Sequence, residues 1–266
     1  MSSDLLVKPS GTEGWTINVT PELAGWTYVG FDLHHLAPGE SAHHRTDDRE
    51  VCLVLISGTA RIEAGGTDFG AVGSRMSPFE GKPDSVYVPG GSEWKATAET
   101  AVTLAVCSAP SLGGGLPARR ISPADVGQEV RGKGTNVRYV TNILPETAAA
   151  DSLLVVEVIT PGGHTSSYPP HKHDRDNLPH ESLLEETYYH RLNPPQGFAF
   201  QRVYTDDRSL DETILVEDGM VTLVPRGYHP CATIHGYDLY YLNVMAGPKR
   251  TWKFHNAPEH EWLMKV

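Results

Sequence analysis

One pattern occurs twice along this chain, and that fixes more about its fold than any single motif. Ala37-Pro38-Gly39-Glu40 is answered by Thr160-Pro161-Gly162-Gly163, and Arg49-Glu50-Val51-Cys52-Leu53-Val54 by Glu185-Glu186-Thr187-Tyr188-Tyr189-His190. Val88-Pro89-Gly90-Gly91 is answered by Val224-Pro225-Arg226-Gly227, and the run from Leu104 to Pro110 by that from Leu242 to Pro248. Glu50 to Pro89 is 39 positions, as is Glu186 to Pro225. Pro38 to Glu50 is 12 positions against 25 from Pro161 to Glu186, so the second copy carries an insertion of 13 residues there. Internal repetition of this kind calls for two units of like architecture. The 266 residues therefore read as two domains rather than one. Apolar runs such as Val51–Ile56 and Leu153–Ile159, with abundant Gly and Pro between them, read as strands joined by turns. The fold class is all-β, with a first barrel over 1–115, a linker and the start of the second barrel over 116–150, and a second barrel over 151–266. The linker holds the one modest helical signal, Ser122-Pro123-Ala124-Asp125-Val126, with Ser122 as N-cap and Pro123 at the first position.

The second copy carries chemistry. His171 and His173 stand two apart in Pro169-Pro170-His171-Lys172-His173-Asp174, and side chains two apart on a strand share a face. Both imidazoles then point inward while Lys172 points away. Downstream come Glu186 and, after a Pro-Arg-Gly turn, His229. Three imidazoles and a carboxylate make a ligand set for one divalent transition metal. The order His-x-His, Glu, late His resembles that of a cupin barrel, which makes the chain a bicupin of two jelly-roll-like barrels in tandem. The residues from Asp174 to Glu185, with Asn177-Leu178-Pro179 among them, read as an inserted loop at the barrel mouth. That insertion leaves Glu185 as the alternative to Glu186, which is preferred because it directly precedes the β-prone Thr187-Tyr188-Tyr189. The first copy lacks the set. Glu93 stands opposite His229, His43 and His44 are adjacent and so face opposite sides, and Glu50 is alone. Nine of the thirteen histidines lie from His164 onward. The first barrel is expected to hold no metal.

A formal net charge of −11 argues against nucleic acid or an anionic membrane as partner. No apolar run approaches the ~20 residues of a membrane-spanning helix, and Leu5-Leu6-Val7 is too short for a signal peptide core. Cys52, Cys107 and Cys231 are odd in number and far apart, which suggests buried thiols in a reducing, cytoplasmic setting.

With these residues assembled, the chain resembles the 5-deoxy-glucuronate isomerase family of bacterial myo-inositol breakdown. The resemblance is carried by Asp48–Leu55, Asn142-Ile143-Leu144-Pro145-Glu146, Val155–Gly163, Ser167–Asp174, Pro194–Phe198 and Gly236–Met245. It is also similar to the related uronate ketol-isomerases, whose metal site maps by motif onto His171, His173, Glu186 and His229. The resemblance implies conversion of 5-deoxy-D-glucuronate to 5-dehydro-2-deoxy-D-gluconate, an aldose-ketose isomerisation assisted by metal through a cis-enediolate. Zn, Mn, Fe, Co and Ni all accept the ligand set. A general base must carry a proton between C2 and C1, and the strand period puts Tyr188 and His190 on the face of Glu186. The distal carboxylate calls for a guanidinium: Arg226 stands three residues from His229, with Arg175, Arg191 and Arg202 also available. The expected partners are a small uronate substrate and further copies of the same chain. A cupin dioxygenase using Fe(II) and a non-catalytic sugar-binding cupin are the competing readings, and oxygen uptake separates the first of these.

Overall fold

The structure is a computed structural model that describes residues 3–265. The chain divides into two compact units, one of Pro9–Gly127 with Asn142–Val155, the other of the residues up to Lys8, Gln128–Thr141 and the residues from Val156 on. Each unit thus takes a segment from beyond the boundaries that the repeat suggests at 115 and 151. Repeats mark what the two halves share, and these crossing segments are outside the repeat.

In the first unit, a six-stranded antiparallel sheet runs in the order Arg119–Ile121, Asp84–Val88, Arg49–Ser57, Val102–Pro110, Gly30–Leu36 and Gly14–Val19. A second sheet has the order Ser41–Arg45, Glu93–Ala98, Ala60–Ala64 and Thr67–Val72. The central strand Arg49–Ser57 is buried along its middle, as its unbroken apolar run requires. Its inner residues Val51, Leu53 and Leu55 pack with Leu36, Ile62, Val86, Trp94, Leu104 and Val106. The cluster that these residues form is apolar, and the buried Glu50, Arg75, Asp84 and Ser85 of this unit are outside it.

The second unit repeats the plan. Its large sheet runs Leu6–Val7, Val221–Val224, Glu185–Asn193, Asp238–Ala246, Leu154–Thr160, Arg138–Leu144, Gly127–Arg131. Its smaller sheet runs Thr165–Ser166, Cys231–Thr233, Phe198–Tyr204, Asp211–Glu217. Glu185–Asn193 has the place of Arg49–Ser57, between the counterparts of the same two neighbours. Yet Glu186, Thr187 and His190 are all buried on it. Polar groups taken from water are costly without partners, so this strand is built for something other than packing.

The register corrects the repeat by one residue. Val51 pairs with Val88, and Glu186 pairs with Val224, their counterparts in the repeat. Glu186 thus matches Val51, and Glu50 faces away from the core cluster. Its carboxylate accepts the backbone N–H groups of Asp151, Ser152 and Leu153 at 2.7, 2.6 and 2.5 Å and the Tyr87 hydroxyl at 2.6 Å. Four donors saturate it as an anchor for the 151–153 segment. Glu50→Ala strands three N–H groups, two of them buried, and is expected to destabilise the protein by about 3–5 kcal/mol, since each buried orphan costs roughly 1–3 kcal/mol. Chemical denaturation checks this, and metal content should not change.

The helix expected at Ser122 does not form. Asp125 turns back instead, its carboxylate accepting from the Ser122 N–H and hydroxyl at 3.2 and 2.7 Å. That closes a turn, and the exposed strand Gly127–Arg131 follows at once. The α-helix among the described residues is Pro21–Ala24, capped by Thr20 and ended by Gly25 in the left-handed conformation.

Candidate metal centre

His173, Glu186 and His229 converge: one ligand atom from each lies within 4.8 Å of the others, and all three residues are buried. Glu186 comes from the middle of its sheet, and Glu185 is not in the group. His173 directly follows the short strand His171–Lys172. The residues after it are not a plain loop but a hairpin, Asp174–Asn177 paired with Glu181–Leu183. Behind it Lys172, wholly buried, donates to Asp174 Oδ1 at 2.6 Å and Glu181 Oε1 at 3.2 Å. This buried ion pair ties the hairpin to the strand that carries His171.

The turn before His229 is fixed from the same side. Gly227 N donates to Asp174 Oδ2 at 2.9 Å. Gly227 has a φ of +89°, and a side chain there would meet the Tyr204 carbonyl oxygen at 2.4 Å. Glycine is required on both counts.

The hydrogen bonds settle which nitrogens carry protons. His173 Nδ1 donates to the Leu184 carbonyl at 3.0 Å, and His229 Nδ1 to the Gly227 carbonyl at 2.9 Å. A carbonyl only accepts, so each Nδ1 carries hydrogen and a neutral ring has its lone pair on Nε2. Both Nε2 atoms face Glu186 Oε2, at 3.1 and 3.2 Å. His229 Nε2 makes no hydrogen bond. Two lone pairs and a carboxylate oxygen converging in a buried space repel one another unless positive charge stands among them. A proton meets the need once: Glu186 raises the pKa of His173 against its burial. Burial pushes His229 down to about 4 despite the same carboxylate, so it stays neutral near pH 7. A divalent cation meets the need for all three, and backbone carbonyls holding Nδ1–H are the usual support for metal-binding histidines. His171 stands alongside, its ring centroid 5.0 Å from that of His229 and 6.5 Å from His173, packed on Phe254 at 4.6 Å. Burial first, then its imidazole neighbours, keep it well below its ordinary pKa. It is a neutral donor beside the group. The donor set fits a transition metal.

Around this centre lie Tyr188 and His190. Tyr188 packs 5.8 Å from His229 and 4.9 Å from Tyr241, centroid to centroid, and its hydroxyl is 2.9 Å from Ser167 Oγ. Burial and the Glu186 charge raise its pKa well above the ordinary value, so the phenol keeps its proton. His190 stacks behind Tyr188 at 5.8 Å. Its Nε2 donates to Gln201 Oε1 at 3.1 Å, which leaves a buried Nδ1 lone pair with no hydrogen-bond partner among the described residues. Burial lowers its pKa to about 3. Three further side chains, not singled out from sequence, border the same space: Tyr241, whose hydroxyl bonds Ser166 Oγ; Phe254; and Arg138. None has a motif signal, since each lies far along the chain from the His-x-His run.

The arginines put forward for the substrate are differently placed. Arg202 forks onto Asp211 at 2.8 and 2.7 Å, Arg175 pairs with Asp206 at 2.9 Å, and Arg191 with Asp218 at 2.8 Å. Arg226 is exposed. The structure brings none of them into the histidine group.

Comparison with known proteins agrees with this architecture. The model of the KduI/IolB family matches residues 5–263. The chain belongs to the KduI/IolB family. A protein of Geobacillus kaustophilus named 5-deoxy-glucuronate isomerase is 58% identical over 254 residues, covering 95% of this chain and 92% of the relative. One of the same name from Halalkalibacterium halodurans is 51% identical over 270 residues, covering 99% and 100%. The crystal structure of an IolB-like protein from Salmonella typhimurium LT2 superposes with a TM-score of 0.97 at 56% identity, covering 98% of this chain and all of that one. Oxalate decarboxylase of Bacillus subtilis, a protein with Mn(II) centres, superposes at a TM-score of 0.65 and 15% identity over all of this chain and 82% of its own. At that identity the likeness shows the fold alone, a cupin fold. Among the described residues no helix of this family member is long and apolar enough to cross a membrane.

Proposed function

We propose that this chain is a 5-deoxy-glucuronate isomerase, an aldose-ketose isomerase that converts 5-deoxy-D-glucuronate to 5-dehydro-2-deoxy-D-gluconate. One observation carries the reading: relatives of that name share half or more of their residues with this chain over nearly its full length. His171, His173, Glu186 and His229 hold one divalent transition metal per chain. A cation there supplies Lewis acidity, which acidifies the proton next to the aldehyde and stabilises the charge developing on oxygen. The chain's own residues do the rest. Tyr188, protonated and held by Ser167, gives its proton to the C1 oxygen and takes in exchange the proton that leaves the C2 oxygen, while a general base carries the C2 proton to C1. His190, with a lone pair on Nδ1, is the group able to accept a proton behind it. The apolar core of the first unit supports a first barrel, over 1–115, without metal; 116–150 connects it to a metal-binding second barrel over 151–266. Cys52, Cys107 and Cys231 are buried and unpaired, which supports a reducing cytoplasmic setting. Trp262 and Met264, large apolar side chains left exposed on one terminal segment, support a homo-oligomer.

The test is to incubate the purified protein with 5-deoxy-D-glucuronate and follow the sugar by NMR and mass. A ketose of unchanged mass, formed without oxygen uptake, is expected. An unchanged aldose, or a product that has gained oxygen, would overturn the reading.

A further inference from the structure

The substrate read above ends in a carboxylate, and the described arginines considered for it from sequence are either paired or exposed. Arg138 is different. It opens the strand Arg138–Leu144 and is half-buried. Its Nη1 donates to Asn136 O at 3.1 Å, Asn136 Oδ1 at 3.2 Å and Tyr168 O at 3.1 Å. All three acceptors are uncharged. Among the described residues Arg138 has no carboxylate partner, and the remaining edge of its fork is unengaged. Tyr168, whose carbonyl Arg138 holds, directly follows Ser167, whose Oγ is 2.9 Å from the Tyr188 hydroxyl, and the guanidinium charge acts on the buried His171, Tyr188 and Tyr241. Desolvation without a counter-charge pushes its pKa down.

A guanidinium drawn out of water with no anion beside it is an unstable arrangement. Its neighbour Arg131 shows the ordinary outcome, pairing with Glu129 at 2.7 Å. The hydroxyls of Tyr188 and Tyr241 are held by Ser167 and Ser166 in the same space and add polar lining without charge. A planar anion is what is missing. We propose that Arg138 is the substrate-carboxylate residue of this pocket, its free edge taking the terminal carboxylate of an open-chain uronate while Asn136 and Tyr168 hold its other edge. This rests on the isomerase reading for the identity of the acid. It assigns to Arg138 the preference for an aldehyde acid over the corresponding neutral sugar, so Arg138 is a specificity residue and takes no part in the proton transfers.

The experiment separates binding from turnover. L-gulonate is an open-chain uronate with its aldehyde reduced, and D-glucitol is the same chain with an alcohol in place of the carboxylate. Calorimetric titration of the metal-loaded protein is expected to show L-gulonate binding at least about tenfold tighter than D-glucitol, the scale of a charged hydrogen-bonded pair. Arg138→Gln is expected to abolish that gap while D-glucitol binds as before. Arg138→Lys, which keeps the charge but loses the fork, should retain part of it. The proposal is overturned if the wild-type protein shows no gap, if Arg138→Gln keeps it, or if that variant loses both ligands equally with its fold intact. Should Arg138→Gln fail to fold, the Lys variant decides: an undiminished gap there overturns the forked contact. A wild-type protein that prefers L-gulonate but leaves 5-deoxy-glucuronate unchanged would sink the isomerase reading and spare the anion site. One that isomerises the sugar with the gap intact in Arg138→Gln would do the reverse.

Discussion

Glu186→Gln is expected to empty the metal centre and lower turnover by about 1,000-fold or more, equivalent to roughly 4 kcal/mol of barrier. The change is nearly isosteric, so it tests charge rather than shape. Glu186 is the anion on which His173 and His229 converge, and an amide there offers a weaker donor and no negative charge. His229→Ala should act alike, since it removes a nitrogen at the heart of the group. Both variants should stay folded, because the strands around the centre are paired through backbone hydrogen bonds. Glu185→Gln is the control: its side chain is outside the group, and metal content should hold. Metal analysis of the three purified variants, with circular dichroism, decides the matter. Retention of metal in Glu186→Gln together with its loss in Glu185→Gln would place the ligand one residue earlier.

Tyr188→Phe carries the second large effect. Removing a positioned proton donor typically costs about 100- to 10,000-fold, and kcat should fall in that range while the metal stays bound. Tyr188 is favoured over His190 on geometry. Its ring lies against His229, whereas His190 stacks behind it, held by Gln201. His190→Asn should therefore reduce kcat less. With substrate deuterated at C2, proton transfer predicts a slowed turnover and partial label at C1 of the product. Full retention under all conditions, with neither variant impaired, would leave both side chains to packing alone.

Much of this was legible in the sequence, for identifiable reasons. The repeat showed two like units because turn residues and strand lengths recur with them. His173, Glu186 and His229 were legible from the order of the motif, whereas the alternation that paired His171 with His173 leaves His171 beside the group rather than in it. What failed was local. Glu50 looks like the partner of Glu186, but the repeat is a residue off in register there. Because side chains alternate, a slip of one turns a core-facing residue outward. The capping signal at Ser122 was real, yet Asp125 used it to close a turn. The hairpin after His173 was hidden because a buried ion pair of Lys172 with Glu181, rather than alternating apolar residues, holds it down. Arg138 was invisible for a different reason: its role depends on what it lacks, an acidic neighbour, and only the fold shows that.

One measurement bears most directly on the account. The protein is stripped of metal by chelation, then titrated with Mn(II) or Zn(II), and bound metal and isomerisation of 5-deoxy-D-glucuronate are followed together. Activity is expected to be absent at the start, to rise with occupancy, and to level off at one ion per chain. Full activity in the stripped protein, or a plateau at two ions per chain, would contradict a single cation held by His171, His173, Glu186 and His229.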